Sequence, residues 1–181
     1  SRDAAGGLGN LDKWAEHPVE VCVPKELWDD LVTRYGPFSK LVHRDAPAYA
    51  ATTVGDLSLT PFPVETSPGD EARLNFGYRF ETGKKTVSYV SDVKHVPEAS
   101  EPYLRGNDLL VVDAAGWDKD LPTHRGALNH VHDYVRAENA QILFTHIGRS
   151  APPHAQASTT VRRMSHQADV AFDFMKVPLG R

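Results

Sequence analysis

The sequence has a single cysteine, Cys22, so no disulfide can form within the chain. Cys22 sits in the apolar run Val19–Val23. Reactive thiols need an electropositive, accessible setting, so it reads as a buried structural thiol. No run of about 18 apolar residues occurs, which leaves no stretch able to form a transmembrane helix. No signal-peptide pattern is found either, and the expected location is the cytoplasm. Positive charge is not in excess. Lys and Arg number 20 against 24 Asp and Glu, for a formal net charge of −4, which argues against a dominant nucleic-acid footprint. Repeats, low-complexity tracts and linkers are missing, so residues 1–181 read as a single domain. What remains is globular in composition, with 40% hydrophobic and 24% charged residues over 181 positions. A chain of about 150 residues already hides roughly 70% of its unfolded surface, so a sizeable core is expected.

Local patterns predict alternating elements. Residues 1–14, "SRDAAGGLGNLDKW", look like a loop. Val19–Val23, closed by Pro24, reads as a buried strand. Lys25–Tyr35 places Leu27, Trp28, Leu31, Val32 and Tyr35 on one helical face, with Gly36 and Pro37 as the stop. Leu57 and Leu59 alternate before Pro61 and Pro63 break the pattern. Leu74, Phe76, Tyr78 and Phe80 alternate with polar residues and glycine, and Thr82-Gly83-Lys84 turns that strand into Thr86–Val90. "DLLVVD" at 108–113 and "QILFTH" at 141–146 are short apolar strands of the buried kind. Between them Leu128, Val131, Tyr134 and Val135 repeat at helical spacing. Residues 153–167 read as a further helix, and Val170, Phe172 and Phe174 as a closing strand. Strands in a hairpin-rich block followed by strand–helix alternation predict an α/β layered domain with a mixed sheet.

Two strand ends carry residues suited to chemistry. Asp92 follows the strand "TVSYV", and His146 ends "ILFTH". In α/β sheets, side chains just past strand ends line the ligand crevice, so an Asp and a His there can share a metal or an acid–base task. Capping of a loop by backbone hydrogen bonds is the competing reading. Asp113 ends a core strand and invites the same capping interpretation. His130 and His132 are two apart on one helix and do not face each other, so they do not form a ligand pair. His95 reads as a loop surface residue, and Arg162 and Arg163 as a solvated helix face.

Taken in order, the segments "TVGDLSLTPFPVE", "LNFGYRFETGKKTVSYVSD", "GNDLLVVDAAGW", "ILFTHIGR" and "VAFDFMKVPL" resemble the metallo-β-lactamase-fold hydrolases, in particular their phosphodiesterase and ribonuclease Z-like branch. The resemblance implies an αββα sandwich lacking much of its first half. The family's HxHxDH motif is matched by "SRDAAGGL" with Ser1 on the second His, Asp3 on the Asp and Ala4 on the third His; the first His would precede Ser1. Glu65 stands where the third metal motif offers a His.

The resemblance also implies site residues. Asp92 takes the place of the metal-bridging Asp and His146 that of a metal-binding His, with Asp3 and Glu65 as further ligands. The implied cofactor is zinc or another divalent cation such as manganese, since oxygen donors in place of imidazoles favour harder ions, and with two imidazoles replaced a single ion is the alternative to the family's two. His124 falls where family members carry a His near the substrate, fit to donate a proton; its alternative is a helix-start residue facing water. Arg149 could meet a phosphate or carboxylate, or pair with a surface acid. Trp117 could wall a substrate pocket, or pack in the core. The implied activity is metal-dependent hydrolysis of a small ester, phosphodiester, lactone or halide. The alternatives are a non-catalytic relative serving as a binding or scaffold subunit, and a chain that is part of a longer one. A homodimer is the expected assembly, since strands lacking their partners would expose apolar faces.

Overall fold

The computed structural model describes residues 5–66 and 74–179. Asp3, and with it the comparison of Ser1 and Ala4 to the family's first motif, lies outside the described residues. The chain begins with α1 (Leu8–Trp14), β1 (Val19–Val23), α2 (Lys25–Tyr35) and β2 (Leu41–Asp45). Strands β3 (Thr52–Val54), β4 (Leu57–Glu65), β5 (Leu74–Thr82) and β6 (Lys85–Val90) follow. A 3-10 helix (Glu98–Leu104) leads to β7 (Leu109–Asp113), α3 (Ala127–Arg136), β8 (Ile142–Thr145), α4 (His154–Met164) and β9 (Ala168–Val170).

Strands β1 and β2 pair in parallel as a small sheet, and β3 to β9 form a seven-stranded sheet in sequence order. That sheet is antiparallel from β3 to β6 and parallel from β6 to β9. The three crossovers of the parallel half carry the 3-10 helix, α3 and α4 in turn, since parallel neighbours cannot be joined by a tight turn. Helices α3 and α4 lie over a core that includes Phe62, Leu110, Val112, Val131, Ile142, Phe144 and Val161. Ala127, Val131 and Tyr134 supply the buried stripe of α3 at spacings of four and three. Phe62 is fully buried, worth about 1.5–3 kcal/mol on area grounds. It is paired across the ladder with Gly77, where a Cβ would come within 2.4 Å of the Phe62 ring. The glycine is there because the ring occupies its side-chain space.

Several sequence expectations are corrected. Residues 8–14 are helical rather than loop. The helix is held by Asp12, whose carboxylate accepts the N–H groups of Ser39, Lys40 and Leu41 and the Ser39 hydroxyl. Strand β1 has one strand neighbour and is half-buried, and Cys22 on it is half-buried too. Strand β4 runs straight through Pro61 and Pro63. Both prolines turn their backbone away from β5: the Pro61 carbonyl accepts Tyr49 N–H, and the Pro63 carbonyl accepts the Ser100 hydroxyl. No ladder donor is therefore lost on the β5 side. Strand β9 stops at Val170 instead of running to Phe174, because β8 ends at Thr145 and offers no further partner. Arg162 and Arg163 are exposed on α4 as expected, and Arg162 also pairs with Asp169.

The Asp12 contacts carry a pH consequence. The Ser39 N–H, then those of Lys40 and Leu41, hold its carboxyl down at about 2 from the ordinary 3.8. A depressed folded-state pKa stabilises above the unfolded value and is lost as pH falls through the folded one. Asp12→Asn is expected to flatten the stability curve between pH 4 and 2, followed by circular dichroism, while leaving the α2 and β4–β9 signals intact. An unchanged acid limb refutes the anchoring role.

Candidate metal centre

The parallel half of the sheet brings its strand ends to one line. Val90 of β6 pairs with Val112 of β7, and Asp113 pairs with Thr145 of β8. Asp92, Asp113 and His146 therefore emerge from three adjacent strands at their carboxyl ends, where ligands of α/β sheets bind. Asp92 and His146 both have left-handed backbones, with φ of 55° and 53°. Non-glycine residues adopt that region rarely and at a cost, a pattern concentrated at functional sites. Asn75 Nδ2 steadies Asp92 by donating to the carbonyls of Ser91 and Asp92 at 3.1 and 2.9 Å. Gly148 lets the loop after β8 press on the loop after β7, since a Cβ there would lie 2.1 Å from the Ala115 carbonyl oxygen.

His124 arrives from the loop before α3. One ligand atom each from Asp92, His124 and His146 lies within 4.8 Å of the others, and the rings of His124 and His146 meet edge-to-face at 5.1 Å. At the centre of the cluster is Asp113, whose side chain has no solvent exposure. Its Oδ1 accepts Ala115 N–H at 2.9 Å, and its Oδ2 accepts Val93 N–H at 3.1 Å and His124 Nδ1–H at 2.6 Å. His146 Nδ1 lies 2.9 Å from Asp92 Oδ1 and 3.2 Å from Asp113 Oδ1. The capping interpretation of Asp113 holds, and the same carboxylate also orients His124, leaving Nε2 as its free nitrogen.

The loops carrying these groups are strapped together. Arg125 donates its backbone N–H to Val93 and its Nε to the Lys94 carbonyl, each at 3.0 Å. Lys94 in turn reaches the His124 carbonyl and pairs with Asp120 at 3.1 Å. Asp120 accepts the Gly126 N–H, which with the Lys94 ammonium holds its carboxyl below the usual range. The straps from Lys94 and Arg125 were not legible in sequence spacing, because they join loops about 30 residues apart. A cleft of about 340 Å³ lined by Val21, Leu27, Leu31, Phe76 and Tyr78 reaches Asp92 on the β1–α2 side. Burial there pushes the Tyr78 hydroxyl up to about 12.

Of the other residues read from sequence, Glu65 is outside the ligand group; its backbone instead pairs with His95 on the flank of β4. Trp117 takes the second of its two readings. It is 4% exposed and packs in the core, where its large apolar surface is best buried. Arg149 is exposed, three residues beyond His146. His124 does not face water freely, with a side chain 18% exposed. His130 approaches Asp120 and Asp133 and takes no part in the cluster.

Two imidazoles and a carboxylate form the donor set of a catalytic divalent-metal site with three protein ligands. The residues present fit such an ion. Fold and site together define a β-lactamase-superfamily domain: the family described as "Beta-lactamase superfamily domain" matches residues 2–164, and the chain belongs to it. No curated protein sequence matches the chain. Among solved structures, a diphosphatase of the PhnP family is similar at 22% identity and a TM-score of 0.75, over 95% of this chain and 65% of that one. Zinc-bound PqqB from Methylobacterium extorquens is similar at 16% identity and 0.68, over 94% and 67%. The short form of human tRNase Z is similar at 12% identity and 0.62, over 98% and 73%. The chain spans just under two thirds of the diphosphatase's length. Its likeness to these proteins is one of fold, a fold that implies binding of a divalent metal. Among the described residues, no helix is long and apolar enough to cross a membrane.

Proposed function

We propose that this chain is a metal-dependent hydrolase acting on a phosphodiester or related phosphoric ester. The observation that carries the reading is the convergence of Asp92, His124 and His146 within 4.8 Å at the ends of adjacent parallel strands, backed by a fully buried Asp113. The diphosphatase and the tRNase Z among its structural neighbours support the substrate class, and zinc-bound PqqB supports zinc as the ion. Asp92 and His146 would hold the ion. When bound, a divalent ion at such a site supplies polarisation of the scissile bond and a lowered pKa of water. His124 keeps its Nδ1–H on Asp113 and, when it carries a second proton on Nε2, gives that proton to the leaving group and returns to the neutral ring. Arg149 lies beyond His146 to meet the anionic part of the substrate.

A second reading is favoured by the 4.8 Å grouping itself: His124 completes the ion's protein ligands instead of moving a proton. A metal-binding imidazole also leans its other nitrogen on a carboxylate, as His124 does on Asp113.

Elemental analysis of the purified protein and turnover of bis(p-nitrophenyl) phosphate test the proposal. Stoichiometric metal is expected, with turnover lost on chelation and restored by zinc or manganese. Bound metal without turnover of any phosphoric ester favours the binding or scaffold alternative, and a protein that retains no metal overturns the hydrolase reading.

A further inference from the structure

A second cavity lies between the 3-10 helix and α3. Its volume is about 340 Å³, and neither Asp92, His124 nor His146 lines it. Val96, Leu104 and Tyr134 supply part of its wall, and three arginines, Arg105, Arg125 and Arg136, line the rest together with Glu101 and Asp133.

Like charges gathered at one cavity repel, so each arginine needs an acid or a ligand. Two of them have an acid at hand. Arg105 Nη2 lies 3.1 Å from Glu101 Oε2, and Arg136 Nη1 lies 3.8 Å from Asp133 Oδ1, with all four side chains at least half exposed. Exposed pairs of this kind contribute little and yield readily to a stronger anion. Arg125 is different. It is half-buried, its Nε is taken by the Lys94 carbonyl at 3.0 Å, and its guanidinium also donates to the buried Tyr134 hydroxyl. Burial pushes that hydroxyl up, and the Arg125 cation pulls against the rise. Among the described residues no carboxylate pairs with Arg125, as Glu101 and Asp133 do with its neighbours. One cation is thus left over in this cavity, in a chain whose formal net charge is −4. A guanidinium withdrawn from water without an acid is costly unless an anion meets it.

We propose that this cavity binds a phosphoryl group, held by Arg125 from the less exposed side and by Arg105 and Arg136 from the open side. A carboxylate fills a single guanidinium fork, whereas a phosphate offers at least three acceptor oxygens and nearly two negative charges, which suits three arginines. The volume is that of a small-molecule site, with room for an organic part against Val96 and Leu104. The ligand is therefore free phosphate or a phosphate monoester. The site goes beyond the hydrolase reading and does not depend on it.

Calorimetric titration of the full chain with inorganic phosphate and with glycerol phosphate tests the site, alongside the His146→Ala variant, which lacks a candidate metal ligand. Saturable binding is expected to survive in His146→Ala. Arg125→Gln, made in that background, should weaken it by about tenfold or more, the factor expected when a hydrogen bond between charged groups is lost. Arg125 also straps the loops of the candidate centre, so Arg136→Gln is the second variant. That side chain is 81% exposed, the fold does not depend on it, and its loss should weaken binding by about threefold. Binding that disappears in His146→Ala belongs to the candidate centre and overturns the cavity site. Binding that neither arginine variant weakens overturns it too, as does a full chain that holds neither probe. Tighter binding of glycerol phosphate names a phosphate monoester as the ligand and equal or weaker binding names free phosphate; each sustains the site. Phosphate held in the cavity without any ester turnover sustains it and removes the hydrolase reading alone.

Discussion

His124→Ala lowers kcat by about 10²–10⁴, the range lost with a general acid or base, and leaves metal content unchanged. The expectation follows from one short contact. His124 Nδ1 donates to Asp113 Oδ2 at 2.6 Å, so the ring has a fixed direction, and in its doubly protonated form Nε2–H is the donor available to a leaving group. KM should move less than kcat, since the lost interaction belongs to the transition state. The fold should survive. Asp113 keeps the N–H groups of Ala115 and Val93, so its buried carboxylate is not stranded. The loss of one hydrogen bond to a charged group still costs about 1.5–3 kcal/mol, more than for a residue facing water. Steady-state kinetics and elemental analysis of the same preparation decide the role. Loss of metal together with activity assigns His124 to the ion instead, and a full-rate variant removes it from the mechanism.

The second large effect is expected at Asp92 and His146. Asp92→Asn keeps the shape but removes the charge, and His146→Ala removes a nitrogen donor. Residues behind metal ligands typically cost about 10–100-fold in affinity when changed, and ligands themselves cost more. Each variant should therefore lose metal affinity by over about 100-fold, measured by competition with a chromogenic chelator, and activity should fall with it. Glu65→Gln is the control, because Glu65 stands outside the cluster and should change affinity little. Equal metal affinity in all three variants and the wild type shows that the ion, if bound, sits elsewhere.

Much of this arrangement was legible from short-range pattern. Strands β5 and β6 with their turn, the apolar strands β7 and β8 and the helix α2 announce themselves through alternation, apolar runs and a Gly-Pro stop. Asp92 and His146 stood out because they follow such strands directly. The register then does what residue order cannot show. It aligns β6, β7 and β8 so that Asp92, Asp113 and His146 meet, and it makes Asp113 the shared partner of both histidines. His124 was found through resemblance rather than spacing, since its loop position has no periodic signal. Two further candidates go elsewhere: Trp117 follows the second of its two readings into the core, and Glu65, taken from the resemblance, is drawn by its backbone into pairing with His95. The helix at Leu8–Trp14 was hidden because its anchor, Asp12, finds its partners 27 to 29 residues away.

The prolines of β4 bear on how copies of this molecule can meet. Beyond Leu59 the strand β3 no longer covers that flank, and an uncovered flank is where a second chain could add its own strand and begin an aggregate. Pro61 and Pro63 present no N–H there, their carbonyls are already taken by Tyr49 and Ser100, and the backbone of Glu65 is engaged by His95. Every second position along the flank is thus either deprived of a donor or already engaged. The sheet is sealed against growth on this flank, and an association of copies through it has to be built from side chains rather than from a shared ladder.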